Sequence, residues 1–169
     1  MPILTADTLE FISRNPEQTR RLGARLGHLL RGGEVIALVG ELGSGKTVLA
    51  QGIGQGWGAM QPLISPTFVL VRRHERPHDG TFLYHVDLYR LEGEAEAESL
   101  GLTELMGEPE AIVLVEWADR APGLFPDDRL WVELRWLDDL RRILTFRAQG
   151  ERHRALLAEF RARLIGQRG

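Results

Sequence analysis

The 169-residue chain contains no cysteine, so disulfide scaffolds, zinc ribbons, iron–sulfur clusters and thiol nucleophiles are excluded. It has no run of about 18 apolar residues, and its opening, MPILTADTLE, shows neither a basic stretch nor an apolar core behind it. A membrane span and a secretory signal are therefore not expected, and the reading is a cytoplasmic protein without a membrane partner. A large excess of either charge is missing too. With 21 basic against 24 acidic residues the net charge is −3, which gives no reason to expect DNA binding. Lysine is the scarcest charged residue: of the 21 basic residues only Lys46 is a lysine. An ammonium has been kept where a wide planar guanidinium would not serve.

What is present reads as one domain over residues 1–169, with 43% hydrophobic and 27% charged residues and no repeat or linker-like shift in composition. Asn15-Pro16-Glu17-Gln18 is a helix start, with Asn as the cap, Pro in the first turn and Gln placed for a capping box. Leu22, Leu26, Leu29 and Leu30 then form one apolar stripe, which Gly32-Gly33 ends. Val35 to Val39 is a short apolar run of the kind buried on both faces in a parallel sheet. The helical stretch with Val48, Leu49, Ile53 and Trp57 contains Gly52, Gly54 and Gly56. Each glycine costs about 1 kcal/mol against alanine, so packing must hold that helix. Residues 81–87 and 111–116 are apolar and end in Asp87 and Glu116. Phe68 to Val71 suggests a hairpin partner for the first, across a polar loop from Arg72 to Gly80 in which His74 and His78 would be exposed. Short helices are expected between the two acid-ended strands. A late antiparallel pair follows at 131–136 and 142–148, then a closing helix with Leu156, Leu157, Phe160 and Leu164. Together these describe an α/β protein of three layers, with a mainly parallel central sheet and antiparallel edge strands.

The strongest motif is Gly40-Glu41-Leu42-Gly43-Ser44-Gly45-Lys46-Thr47, which fits the P-loop pattern G-x-x-x-x-G-K-[ST] between a buried strand and a helix. Glycines let successive N–H groups curl inward as an anion nest, and the helix adds its positive N-terminal end. Lys46 would reach the β- and γ-phosphates, and the Thr47 hydroxyl would bind Mg²⁺. A nucleotide site also needs a carboxylate near the metal, usually at the end of a neighbouring strand. Asp87 and Glu116 both sit at such an end, where ligands gather in open α/β sheets. The plainer alternative for either is a loop cap or a pair with Arg90 or Arg120. Ser65-Pro66-Thr67-Phe68 is either a Ser-Pro turn or a switch-like loop. His85 shares a strand face with Asp87 and reads equally as a buried, bonded histidine or a catalytic one.

Guanine-reading GTPases carry N/T-K-x-D and D-x-x-G, and neither occurs here, so an adenosine nucleotide is favoured. A small-molecule kinase that passes the γ-phosphate of ATP to a metabolite remains the alternative, although the segment from Glu92 to Glu110, where a lid would lie, has no arginine. The ordered set GELGSGKT, SPTFVLV, YHVDLYRL and IVLVEW resembles the TsaE (YjeE) family of small bacterial ATPases, which are required for making threonylcarbamoyladenosine in tRNA. Glu41 stands where that family usually has Asp, and Ser44 where it often has Ala. The resemblance implies a P-loop fold that binds ATP and Mg²⁺, hydrolyses ATP slowly alone, and works with TsaB and TsaD subunits, with tRNA involved indirectly. It implies that Glu41, Leu42, Gly43, Ser44, Gly45, Lys46 and Thr47 wrap the phosphates, that Val48 also binds the nucleotide, and that Thr47 and Glu116 hold the metal. Asp87 would orient or deprotonate the attacking water, Thr67 would lie near the γ-phosphate, and Trp117 near the nucleotide. Asp87, Lys46 and Glu116 are thereby the expected catalytic residues. Direct tRNA contact by Arg152, Arg154, Arg161 and Arg163 is the weaker reading, since a solvated amphipathic helix explains the same residues.

Overall fold

Helix α1 spans Pro16–His28, and it starts where the sequence places it because the Asn15 side chain accepts the Gln18 amide at 2.8 Å. The Gln18 side chain reaches back to the Arg14 amide at 2.6 Å, one residue before the cap. A computed structural model describes residues 7–64 and 71–166. The strands are β1 (Thr8–Ser13), β2 (Val35–Val39), β3 (Val71–Glu75), β4 (Phe82–Asp87), β5 (Ala111–Glu116), β6 (Arg129–Trp136) and β7 (Arg142–Gln149). They form one sheet in the order β1-β7-β6-β2-β5-β4-β3. The β6-β2, β2-β5 and β5-β4 pairings at the centre are parallel, and the pairings on both flanks are antiparallel.

Two apolar cores line the two faces of this sheet. Leu26, Ile36, Leu38, Leu49, Ile53, Leu114, Phe146 and Phe160 pack on the face covered by α1, α2 (Lys46–Trp57) and α5 (Glu151–Gly166). Val35, Ala37, Val86, Val113 and Val115 face the opposite way, against Ala97 of α3 (Glu94–Ser99), Leu102 of α4 (Leu102–Leu105) and Phe125. The layers are those expected of a three-layer α/β fold. None of the described helices is long and apolar enough to cross a membrane.

The glycines of α2 are explained by close approach. A Cβ on Gly56 would lie 1.9 Å from the Ala24 carbonyl oxygen, and one on Gly27 of α1 2.0 Å from that of Ile53. The two helices therefore touch backbone to backbone, and this contact offsets the weak propensity of α2.

Arg72 to Glu75 belong to β3 rather than to the hairpin loop, and His74 is buried on it instead of exposed, because the pairing with β4 runs from Val71 to Glu75. Residues 68–70, the earlier part of that expected strand, lie outside the described residues, as does Thr67. Strand β1 has no signal in its own sequence; it adds to the sheet only by pairing with β7, about 130 residues away.

At the N-terminal end of the parallel strands, α5 is fastened by Asp128. Its carboxylate accepts the Arg152 and His153 amides, both at 3.1 Å, and the His153 Nδ1–H at 2.6 Å. His153 Nε2 accepts the Val35 amide at 2.9 Å, which fixes the tautomer.

Candidate functional site

The opposite end of the sheet carries the Gly40–Thr47 turn, which matches the P-loop pattern in sequence. Gly43 and Gly45 take positive φ values of 81° and 102°, which lets the chain turn from β2 into α2 without a Cβ in the way. Beside this turn, the parallel register sets Asp87 against Glu116 at the last residues of β4 and β5. His85 lies two residues before Asp87 on the same face of β4, and that face is the one covered by α2.

A cleft of about 360 Å³ opens here, lined by Leu42, Gly43, Gly45, Lys46, Thr47, Val48, Asp87, Glu116 and Trp117 among others. The fold thus brings together most of the residues singled out in the sequence. The side chains of Glu41 and Ser44 lie outside this lining, on a second cavity across the loop. Glu41 enters through its carbonyl, which accepts the Lys46 ammonium at 2.9 Å, and the Ser44 hydroxyl oxygen is 3.3 Å from the same ammonium.

Lys46 is almost fully buried. Its Nζ also donates to the Gly40 carbonyl and sits 4.0 Å from the centre of the Trp117 ring. Burial pushes this ammonium below the ordinary lysine value, while Glu116, Asp119, Asp87 and Glu41 act in the opposite direction. Glu116 accepts the Thr47 hydroxyl through Oε1 at 2.9 Å and meets His85 Nε2 through Oε2 at 2.6 Å. Asp87 accepts the Tyr89 amide at 2.9 Å, so it caps its turn as well as lining the cleft. Burial raises the Asp87 carboxyl above the usual range; the Tyr89 amide opposes this and the neighbouring Glu116 adds to it. Neither Asp87 nor Glu116 forms an ion pair with Arg90 or Arg120 among the described residues.

Trp117 has φ 59° and ψ 39°, making it the one non-glycine residue with positive φ among those described. Such a conformation costs on the order of 1–3 kcal/mol and persists where contacts over-determine it. Here the indole is held between Lys46 and the Tyr89 ring, whose centroid is 4.9 Å away.

Several lining residues are not among the site candidates of the sequence motifs. Pro16 and Thr19 come from α1, Tyr89 follows β4, and Leu140 and Arg142 come from the β6–β7 hairpin. Sheet order places this hairpin on the flank of the P-loop away from the carboxylates. Arg142 donates to the Gly43 carbonyl through Nε at 3.3 Å and Nη2 at 3.0 Å, latching the hairpin to the P-loop. Nothing in local sequence pattern points to residue 142; its place depends on the β6–β7 and β2–β6 pairings. The basic side chains of α5 are turned to the chain itself. Arg152 donates to the Gly32 carbonyl and Arg161 to the Thr8 carbonyl, while Arg154 pairs with Asp7 and Arg163 with Glu159.

A family model described as Threonylcarbamoyl adenosine biosynthesis protein TsaE matches residues 13–144. A tRNA threonylcarbamoyladenosine biosynthesis protein TsaE of Bacillus subtilis is 35% identical over 152 residues, covering 89% of this chain and 92% of that protein. A protein of the same description from Streptomyces coelicolor is 44% identical over 112 residues, 66% of this chain and 74% of that one. In structure the chain resembles YdiB of Bacillus subtilis, with a TM-score of 0.72 and 28% identity over 92% of this chain and 95% of the other. The matched span runs from the last residue of β1 into the hairpin strand that carries Arg142, and so takes in every residue that lines the cleft. The chain belongs to the TsaE family.

Proposed function

We propose that this protein binds ATP with Mg²⁺ in the P-loop cleft, hydrolyses it slowly, and so drives threonylcarbamoyladenosine formation in tRNA together with TsaB and TsaD subunits. The observation that carries the nucleotide reading is the Thr47–Glu116 hydrogen bond beside Lys46: a hydroxyl and a buried carboxylate stand at the foot of a positive-φ glycine loop. The pathway reading is supported by the curated relatives, described as tRNA threonylcarbamoyladenosine biosynthesis proteins.

In this reading the amides from Glu41 to Thr47 wrap the phosphate tail, and Lys46 leaves the Gly40 and Glu41 carbonyls to meet the β- and γ-phosphates. Mg²⁺ supplies positive charge against the phosphate oxygens, and the donor set of hydroxyl and carboxylate oxygens suits a hard cation. Thr47 and Glu116 hold it. Asp87, with its raised proton affinity, orients the attacking water and takes its proton. Thr67 lies outside the described residues, and a place near the γ-phosphate is carried to it by the family resemblance alone. Trp117 packs beside the nucleotide. Pro16, Thr19, Val48 and Leu140 supply an apolar flank for the base, with Arg142 at its edge. TsaB and TsaD are the partners, and the tRNA is reached through them, in keeping with the engaged arginines of α5.

Deleting the gene in its host and analysing tRNA nucleosides tests the pathway. Loss of threonylcarbamoyladenosine, restored by the wild-type gene but not by one encoding Lys46→Ala, is expected. Undiminished modification would refute the assignment. An ATP-dependent phosphorylated metabolite lost with the gene would favour a kinase instead.

A further inference from the structure

Glu116 ends β5 with about 1% of its surface exposed, and both of its oxygens are engaged. With Glu116 ionised, as a ligand to a cation must be, it has nothing to donate, and the hydrogen in the 2.6 Å contact with His85 belongs to Nε2. His85 Nδ1 is then the bare nitrogen; it is buried and has no hydrogen-bond partner among the described residues. Glu116 therefore selects the tautomer, and the imidazole has one polar task. Rotation of a glutamate carboxylate about its last torsion is soft and roughly two-fold. One hydrogen bond leaves that plane free to swing; two on different oxygens fix it. The second anchor is His85, fully buried near the end of β4 on the sheet face that α2 covers.

We propose that His85 is the positioning residue of the cation site: its Nε2–H fixes the plane of the Glu116 carboxylate, so that Oε1 holds the Thr47 hydrogen and turns the hydroxyl oxygen toward the cleft. The effect passes through Glu116 and reaches the nucleotide only by way of the metal. The inference rests on the reading of the cleft as a Mg²⁺–nucleotide site.

Three variants and one spectrum test it. His85→Leu removes the donor and keeps an apolar filling. His85→Gln places an amide N–H where Nε2–H was. His85→Asn is too short to reach Oε2, and it replaces His85→Leu should that variant fail to fold. ADP affinity is measured by calorimetry in EDTA and across a Mg²⁺ titration. His85→Leu is expected to keep metal-free affinity within about twofold of wild type, while the Mg²⁺ concentration for half-maximal strengthening rises at least tenfold. His85→Gln is expected to restore it to within about threefold. Unchanged Mg²⁺ dependence in His85→Leu, equal losses with and without Mg²⁺, or a folded His85→Gln as impaired as His85→Leu would each overturn the role. Independently, nitrogen NMR of the metal-free wild type is expected to show His85 protonated at Nε2; protonation at Nδ1 alone would overturn it without reference to nucleotide. Wild-type protein whose ADP binding is absent or indifferent to Mg²⁺ would instead overturn the cleft reading, and this inference with it.

Discussion

Two buried histidines each stand 2.6 Å from a carboxylate, at opposite ends of the parallel strands, and their surroundings give them different work. At the lower end every bond of the His153–Asp128 pair closes on the chain itself: the Val35 amide on one ring nitrogen, and two α5 amides on the carboxylate. That pair is a staple joining β2, the residues before β6 and α5. At the upper end the bonds of His85–Glu116 run on to a hydroxyl that lines an open cleft. The contact distance is the same in both. On the proposed reading, what separates a structural pair from a functional one is where the second oxygen of the carboxylate leads.

The comparison breaks most visibly in kinetics. On the proposed reading, Glu116→Gln and Asp87→Asn are each expected to lower single-turnover ATP hydrolysis by about 100-fold or more, the scale of losing a metal anchor or a general base, with nucleotide affinity in EDTA within a few-fold of wild type. Asp128→Asn is expected to leave hydrolysis unchanged. Wild-type rates in Glu116→Gln or Asp87→Asn would remove the functional half of the contrast.

Stability should reverse the order. Asp128→Ala strands the His153 Nδ1–H and the α5 amides, and a loss of about 2–3 kcal/mol is expected, read from urea unfolding, with nucleotide affinity unaffected. A packing defect unrelated to either pair sets the scale. Gly56→Ala forces a methyl group to within 1.9 Å of the Ala24 oxygen and is expected to cost about 1–3 kcal/mol, outweighing its better helix propensity. A higher melting temperature in that variant would show that α1 and α2 are not locked by backbone contact.

The smallest effect concerns pH. Burial outweighs the Asp128 carboxylate and holds His153 below its ordinary value of 6.5, and burial with the nearby His85 and Arg72 does the same to His74. The unfolded chain therefore takes up protons first. Stability is full above about pH 6.5 and falls below it, by at most about 1.4 kcal/mol per pH unit for each histidine. Unfolding midpoints between pH 8 and 5 should show this slope, and His153→Gln should reduce it. A slope of opposite sign would contradict the assigned burial.

The P-loop, the acid-ended strands and the capped α1 were legible because each is a local pattern: eight consecutive residues, an apolar run with its last residue charged, or an Asn-Pro start. The carboxylate pair could be placed at one end of the sheet because parallel strands put their last residues side by side. Local pattern fails where distant strands decide. β1 exists only by its pairing with β7, and Arg142 reaches Gly43 because β6 joins β2. His74 reads as loop because Arg72, Arg73 and Glu75 around it are polar, yet pairing with β4 makes the segment a strand in which His74 alone is buried. The glycines of α2 read as weak helix, and their reason lay in the partner helix.

The most direct trial of the central claim is a calorimetric titration of a non-hydrolysable ATP analogue with Mg²⁺ into wild type and Lys46→Ala. One saturable site in the wild type is expected, weakened about 10- to 100-fold in the variant, as suits the loss of charge-assisted bonds to phosphate. Absence of saturable binding in the wild type, or equal affinity in the two proteins, would contradict it.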